Sequence, residues 1–528
     1  MVNVIPTCLN KMNRRDFLKY TSLAISASYL PGCGPYKAKS AKPNLIYIFA
    51  DQLRADVLGY AGDKKAITPN IDRFASQAMN FNNAVSVTPV CAPHRASLLT
   101  GKYPSSHGMV INELNMNPNH RSIGHVLNDA GYNLGYLGKW HLNDQHKRPT
   151  PKGPERLGFN DYWAAYSFNH RSYRSYYYTD DNDGNLQRIS LEGKHGPTEF
   201  TNLAIDYIEN VSQEEKPFAM FLSWNPPHDP WRQSNVPKEN YEKFKNTRFE
   251  LPENFKSEPD PYMDRYPGDA FDNPESWKKE FLDDSFQEYL RVYYAMVNQL
   301  DEQFGRIMSK LDNLGITENT IVVFSSDHGE MFASQGRMFK LTFYDEAARI
   351  PFLVRYPEKV KNGDSDVCLS TPDIMPTLLG LMGLNNEIPK EVDGADLSFV
   401  LRNETGTEPE AAFLQGMGHT FQWKDGYEWR AIRDKRFTYA KYLRDGKELL
   451  FDREKDPEME NEVSTDPAYQ NELNRLRNLM LKKMNELNDE FHTCSWYRDH
   501  WMYKDYSIKA SAKGEFGPLP PIEPKRVK

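Results

Sequence analysis

The chain has 528 residues and a net charge of −8, with 26% charged and 13% aromatic residues. That length buries a large core and calls for two or more lobes, and a mean hydropathy of −0.72 excludes a bundle of membrane spans. The acidic balance excludes general nucleic-acid binding, which depends on a basic footprint, yet leaves room for a local cationic pocket.

The N-terminus reads as an address rather than as fold. In "MNRRDFLKYTSLAISASYLPGC" the pair Arg14-Arg15 precedes Phe17-Leu18-Lys19 and a short apolar run, a pattern that resembles a twin-arginine export signal. The run ends at "LPGC", similar to a lipoprotein box, with Cys33 as the residue for a lipid anchor. Pro31 departs from such boxes, so export with or without acylation stays open. Met12 is a second candidate start. Residues 1–40 are assigned to this signal, which implies a periplasmic or cell-surface location. The remaining cysteines, Cys8, Cys91, Cys368 and Cys494, are too few and scattered for a disulfide scaffold or a zinc site. A Cys368–Cys494 pair is left open.

Four apolar runs then share one pattern. "NLIYIFA" ends at Asp51-Gln52, and "NLGYLG" runs into Lys139-Trp140-His141. "PFAMFLS" leads to "WNPPHDPW" with His228, and "TIVVFSS" ends at Asp327-His328. Each is strand-length and apolar without clean polar alternation, as strands buried on both faces are. Helix-like segments separate them, among them "NIDRFASQAM", "SIGHVLNDAG" and "EYLRVYYAMVNQLDEQFGRIMSKLDNLG". Alternation of this kind predicts an α/β fold with a large, mostly parallel central sheet sandwiched by helices. Such sheets bind ligands at the carboxyl ends of their strands. One polar residue after a strand is ordinarily a turn residue; four such ends together point to one site.

Between the first and second runs lies "VTPVCAPHRASLLTGKYP", where Cys91 opens a helix-like segment. A lone cysteine is ordinarily a buried structural residue. At a helix N-terminus it is also placed to serve as a nucleophile. Asp51, Gln52, Asp327 and His328 offer two anionic and two neutral ligands to a divalent cation. Their oxygens suit calcium or magnesium, and the imidazole suits manganese or zinc. Arg95, Lys139, Lys340, His141 and His228 are donors to an anion. A metal, several cations and a nucleophile together make a site for a tetrahedral oxyanion.

"CAPHRASLLTGKYP" resembles the signature of the type I sulfatases of the alkaline-phosphatase superfamily, Cys-x-Pro-x-Arg followed by Leu-Thr-Gly. "GKWHL", "PPHDPW", "SSDHGE" and "EAARIPFLVRYP" follow in that family's order, and "TPDIMPTLLGLMG" and "LLFDREKDPEMENEV" resemble its later landmarks. The resemblance implies an alkaline-phosphatase-like fold and hydrolysis of sulfate esters. It implies that a formylglycine-generating maturation enzyme converts Cys91 to formylglycine, an aldehyde whose hydrate supplies the attacking oxygen. It also implies a divalent metal, usually calcium, on Asp51, Gln52, Asp327, His328 and the residue made from Cys91. Arg95 would hold the hydrate with Lys139 and His141 beside it, and His228 and Lys340 would grip the sulfate and protonate the leaving alcohol. His107 is matched more loosely and is not assigned to the site. Export and such a core imply sulfated carbohydrate substrates, such as algal glycans or glycosaminoglycan fragments.

Three positions depart from the family pattern. Gln52 stands where many members have a second Asp, His328 where many have Asn, and His94 where Ser or Ala is common. The first two keep a phosphonate monoester or phosphodiester hydrolase open as the alternative. An inactive binding protein is the weakest reading, because every ligand position carries a competent residue.

Residues 41–400 are assigned to the catalytic α/β domain and 401–490 to a C-terminal α+β subdomain. There "WRAIRDKRFTYAKYL" and "KELLFD" read as antiparallel strands, and "PAYQNELNRLRNLMLKKMNELNDEF" as an amphipathic helix. Residues 491–528 form a Pro-rich tail. "DYWAAYSFNHRSYRSYYYTDDNDGN" offers aromatic, Arg and His side chains for a cleft wall or for edge packing; His170, Arg171 and Arg174 are not assigned to the site.

Overall fold

The computed structural model describes residues 42–112, 114–143, 150–264, 284–502 and 509–510. The export signal and the end of the Pro-rich tail lie outside them. Ten strands build the central sheet: β1 (Asn44–Asp51), β2 (Met79–Phe81), β3 (Asn133–Lys139), β4 (Tyr162–Tyr166), β5 (Tyr176–Asp180), β6 (Leu186–Ser190), β7 (Phe218–Pro227), β8 (Thr320–Ser326), β9 (Phe352–Arg355) and β10 (Gly363–Ser365). Their spatial order is β10-β2-β9-β8-β1-β7-β3-β4-β5-β6. The five strands β8-β1-β7-β3-β4 pair in parallel, and antiparallel pairs flank them on both sides.

The missing polar alternation in β1 has a direct cause. Leu45, Tyr47 and Phe49 join the core on one face, while Ile46, Ile48 and Ala50 join the core on the other. Helices α1 (Pro69–Ala75), α4 (Gly196–Val211) and α5 (Asp284–Leu314) contribute to the second core, and α2 (Cys91–Thr100), α3 (Ile123–Asp129) and α6 (Thr371–Leu381) to the first. In α5 the buried Phe286, Leu290, Tyr293, Val297, Leu300, Phe304, Ile307 and Leu311 recur every three or four residues, so one stripe faces the sheet. Each such side chain contributes about 1.5–3 kcal/mol when removed from water. The segment read as one helix, "NIDRFASQAM", divides. Helix α1 ends at Ala75, and Met79 opens β2 because it pairs with Val354 of β9.

The C-terminal part adds a four-stranded antiparallel sheet, β11 (Ala412–Gly416), β12 (Trp429–Arg433), β13 (Phe437–Tyr442) and β14 (Glu448–Asp452), in sequential order. Helix α7 (Gln470–Glu486) lays Leu473, Leu476, Met480 and Met484 on one face, against Phe413, Ile432, Tyr439 and Leu450. The other face packs Leu414, Trp429, Ala431 and Tyr442 on Met331, Phe343 and Tyr344 of the larger lobe. Cys368 and Cys494 are both buried free thiols, so the pairing left open by the sequence is not formed. Among the described residues no helix is long and apolar enough to cross a membrane.

Candidate active site

The four runs singled out in the sequence are the adjacent strands β8-β1-β7-β3, all parallel, so their carboxyl ends lie side by side on one edge. Asp51 closes β1, Lys139 closes β3, Asp327 follows β8 and His228 follows β7. Cys91 is the first residue of α2, after an extended Val90. Pro93 falls in the first turn, where its missing N–H removes no intrahelical bond. Gly101 ends the helix at φ +66, where a Cβ would meet Val392 at 2.8 Å. Helix α2 is buried along its length, which fixes the position of Cys91.

The Cys91 thiol lies 3.3 Å from Lys340 Nζ, 3.3 Å from His328 Nε2 and 3.5 Å from Asp51 Oδ1. Asp51, Cys91, Asp327 and His328 are all buried and bring one ligand atom each within 4.8 Å of one another. Two carboxylates, an imidazole nitrogen and a sulfur or oxygen at position 91 make a donor set that fits a divalent cation. His328 places Nδ1 on the Gly329 carbonyl at 2.9 Å, which puts the proton there and leaves the Nε2 lone pair facing the cluster.

The cations brace this centre. Lys139 Nζ donates to Asp51 Oδ2. Arg95 Nη2 donates to Asp327 Oδ2 at 2.9 Å and lies 3.3 Å from Asp51 Oδ2, while its Nη1 donates to Lys139 O at 2.7 Å and Ser223 Oγ at 2.6 Å. Its Nε alone has no partner among the described residues. Against the penalty of burial, Lys139 and Arg95 hold the Asp51 carboxyl well below the usual range. Burial, helped by Asp51, pushes the Cys91 thiol up, so the unmodified residue stays a thiol despite its place at a helix N-terminus. Lys340 is raised: the facing carboxylates of Asp51 and Asp327 outweigh its burial.

Lys340 Nζ donates to Gln52 Oε1 at 2.9 Å and lies 3.1 Å from His228 Nε2. An ammonium only donates, so His228 Nε2 accepts and its Nδ1–H points to the Asp229 carbonyl at 2.8 Å. Burial and the Lys340 ammonium keep His228 neutral, far below its ordinary value. His141 is likewise held neutral by burial and by Lys139 and Arg95. Lys340 rides on a loop with five non-glycine residues at positive φ: Phe332, Ala333, Gln335, Phe339 and Leu341. The C-terminal sheet holds that loop through Trp429 Nε1, which donates to Leu341 O at 3.3 Å, and through the Phe343–Trp429 edge contact at 5.5 Å.

Two residues of the site were not assigned from the sequence. Glu330, inside the quoted "SSDHGE", accepts Gln52 Nε2 at 2.6 Å. His170 stacks on His228 with ring centroids 3.9 Å apart and planes 3° apart. The segment around it splits between the two roles the sequence offered. Tyr176–Asp180 is strand β5, packed between β4 and the edge strand β6, and Arg171 and Arg174 are exposed, whereas His170 reaches the site. His107, buried on Ser97 Oγ at 2.9 Å, and His94, on Ser86 Oγ at 2.9 Å, brace α2.

The sulfatase family profile matches residues 43–384, and a profile for the N-sulphoglucosamine sulphohydrolase C-terminal region matches residues 335–489. The chain belongs to the sulfatase family. Its chemistry is that of a sulfuric ester hydrolase. An ulvan-active sulfatase of Formosa agariphila is 38% identical over 472 residues, covering 88% of this sulfatase and 85% of that protein. An endo-4-O-sulfatase of Bacteroides thetaiotaomicron is 34% identical over 504 residues, covering 85% and 93%. The solved structure of the sulfatase YidJ from Bacteroides fragilis superposes with a TM-score of 0.74 at 29% identity, covering 88% of this sulfatase and 99% of that chain.

Proposed function

We propose that this sulfatase is exported and removes sulfate from sulfated carbohydrates, using an aldehyde made from Cys91 and a divalent metal held by Asp51, Gln52, Asp327, His328 and residue 91. One observation carries the reading: Cys91 Sγ sits at 3.3 Å from both Lys340 Nζ and His328 Nε2, where the buried ligand cluster meets the proton-bearing groups. The names of the glycan-active relatives support the substrate class, and the Arg14-Arg15 leader supports export. Calcium is the ion proposed, on the two carboxylates and the Gln52 oxygen.

A bound ion would supply charge against the oxygens of the ester. The side chains account for the rest. Arg95 and Lys139 pair with the carboxylates of Asp51 and Asp327, and Lys340 adds its ammonium beside Cys91, so cationic donors line the place where an oxyanion would sit. Lys340 carries the proton that the departing alkoxide needs and hands it over directly or through His228 Nε2. Neutral His141, beyond Lys139 on the same strand end, is placed to take a proton when sulfate is released. A buried, protonated thiol could not perform the internal breakdown that a geminal diol permits, which is why the aldehyde form is proposed.

The rival reading takes phosphonate monoesters or phosphodiesters. On one metal-loaded, matured preparation, sulfate release from sulfated saccharides is expected to exceed hydrolysis of the phosphorus esters in kcat/KM by at least about a hundredfold, roughly 2.7 kcal/mol. Faster turnover of the phosphorus esters than of every sulfated saccharide tried would replace this reading with its rival.

A further inference from the structure

The loop after β4 is held in place more firmly than a surface connection needs. Asn235 uses both ends of its amide on it, accepting Ser172 N at 2.6 Å and donating to His170 O at 2.9 Å. On the facing strand, Ala50 pairs with Trp224 but Asp51 pairs with Pro227, so Asn225 and Pro226 are extra residues in a bulge. Bulges beside active sites re-aim side chains. Here the bulge turns Asn225 Oδ1 to His170 Nδ1 at 2.7 Å. His170 is thereby fixed flat against His228, with Phe168 edge-on to its ring at 4.4 Å and Phe168 in turn 5.6 Å from the His141 ring.

The chemistry of the ring follows from its tether. Burial and the nearby Lys139 keep His170 neutral. A neutral imidazole that gives its Nδ1 proton to Asn225 has a lone pair on Nε2. Among the described residues no protein group is hydrogen-bonded to that nitrogen.

We propose that His170 is a specificity-determining residue whose Nε2 accepts a hydrogen bond from the sugar hydroxyl beside the sulfate ester. The assignment rests on the sulfated-carbohydrate reading above. The ring lies flat on His228, so a saccharide whose ester oxygen meets His228 or Lys340 brings its neighbouring carbon past His170. A site built to receive a hydroxyl rejects substrates that lack one far more strongly than an apolar wall does.

The test compares wild type, His170→Phe and Asn225→Leu on two probes: oligosaccharides prepared from ulvan and 4-nitrophenyl sulfate, which has no neighbouring hydroxyl. Phe keeps the stack on His228 and removes the acceptor; Leu removes the tether and leaves His170 in place. The ratio of kcat/KM for saccharide over aryl ester is expected to fall about a hundredfold in His170→Phe, with KM for the saccharide raised, and about tenfold in Asn225→Leu. An unchanged ratio in both variants, or equal losses in kcat on both probes, would reduce His170 to a prop for His228 and overturn the assignment. If wild type cleaves the aryl ester but no sulfated saccharide, whether from ulvan, chondroitin 4-sulfate or N-acetylglucosamine 6-sulfate, the substrate reading fails first and takes this assignment with it.

Discussion

The Glu330 carboxylate accepts the side-chain amide of Gln52 at 2.6 Å, across 278 residues of sequence. Its other oxygen accepts Phe339 N at 2.7 Å and lies 3.2 Å from Phe332 N. This brace decides which end of the Gln52 amide faces inward: Nε2 is taken by Glu330, so Oε1 accepts from Lys340. It also explains the departure from an Asp at position 52. Two carboxylates in that contact would repel in a dry site, and burial already pushes the Glu330 carboxyl up to about 7.

Glu330→Ala is therefore expected to free the Gln52 amide to turn and to weaken divalent-metal binding by about ten- to a hundredfold. Calorimetric titration of the intact protein with calcium reads this directly. A dissociation constant equal to that of wild type would mean that Gln52 needs no brace.

Lys340→Met keeps the volume and removes the donor shared by Gln52, Cys91 and His228. We expect kcat/KM on a sulfated saccharide to fall by about a hundred- to ten-thousandfold, the range for loss of a general acid. Retention of more than a tenth of the activity would take Lys340 out of proton delivery.

Cys91 in active protein is expected to be an aldehyde. Peptide mass spectrometry across Val90–Arg95 should find it, and Cys91→Ser should lose nearly all turnover in a host that converts only cysteine. Full activity from a sample whose Cys91 is an unmodified thiol would end the proposal.

Stability should fall on mild acidification for a reason outside the reaction. Burial lowers His94 to about 3 and His195 to about 4, and lowers His107 as well. The folded chain then refuses protons that the unfolded chain accepts below about pH 6.5, so unfolding gains favour as pH drops from about 6.5 toward 4. Each such group contributes about 1.4 kcal/mol per pH unit within that window. Denaturant unfolding of His94→Gln at pH 7, 6 and 5 should show a shallower slope by about one proton. A slope unchanged from wild type would mean that His94 takes up its proton in the folded state.

The central sheet was legible because its strands are buried on both faces, which leaves an unbroken apolar signature in β1, β3, β7 and β8. The C-terminal sheet was legible in three strands from their apolar runs; the short Ala412–Gly416 carries no comparable signal. The end of α1 was not, since Ala78 and Met79 continue a helical apolar spacing and only pairing with β9 and β10 draws Met79 into the sheet. Motif residues announced the ligand cluster. Glu330 lay within a quoted motif, yet nothing local says that it meets Gln52. His170 had less to show: a histidine in a Tyr- and Arg-rich loop reads alike whether it faces solvent or the His228 ring, and a bulge in β7 makes the difference.

The Lys340 loop has a bearing on how such enzymes diversify. Its left-handed residues Phe332, Ala333, Gln335, Phe339 and Leu341 each carry strain of about 1–3 kcal/mol that the loop alone could not sustain. The compensation comes from Trp429 and its neighbours on the C-terminal sheet. The C-terminal module is thus the mount on which the proposed acid is carried, although every candidate site residue precedes it in the chain. A recombinant that exchanges this module between relatives exchanges the alignment of Lys340 with it, so the breakpoint that preserves activity lies before Met331 and not at the visible seam between the lobes.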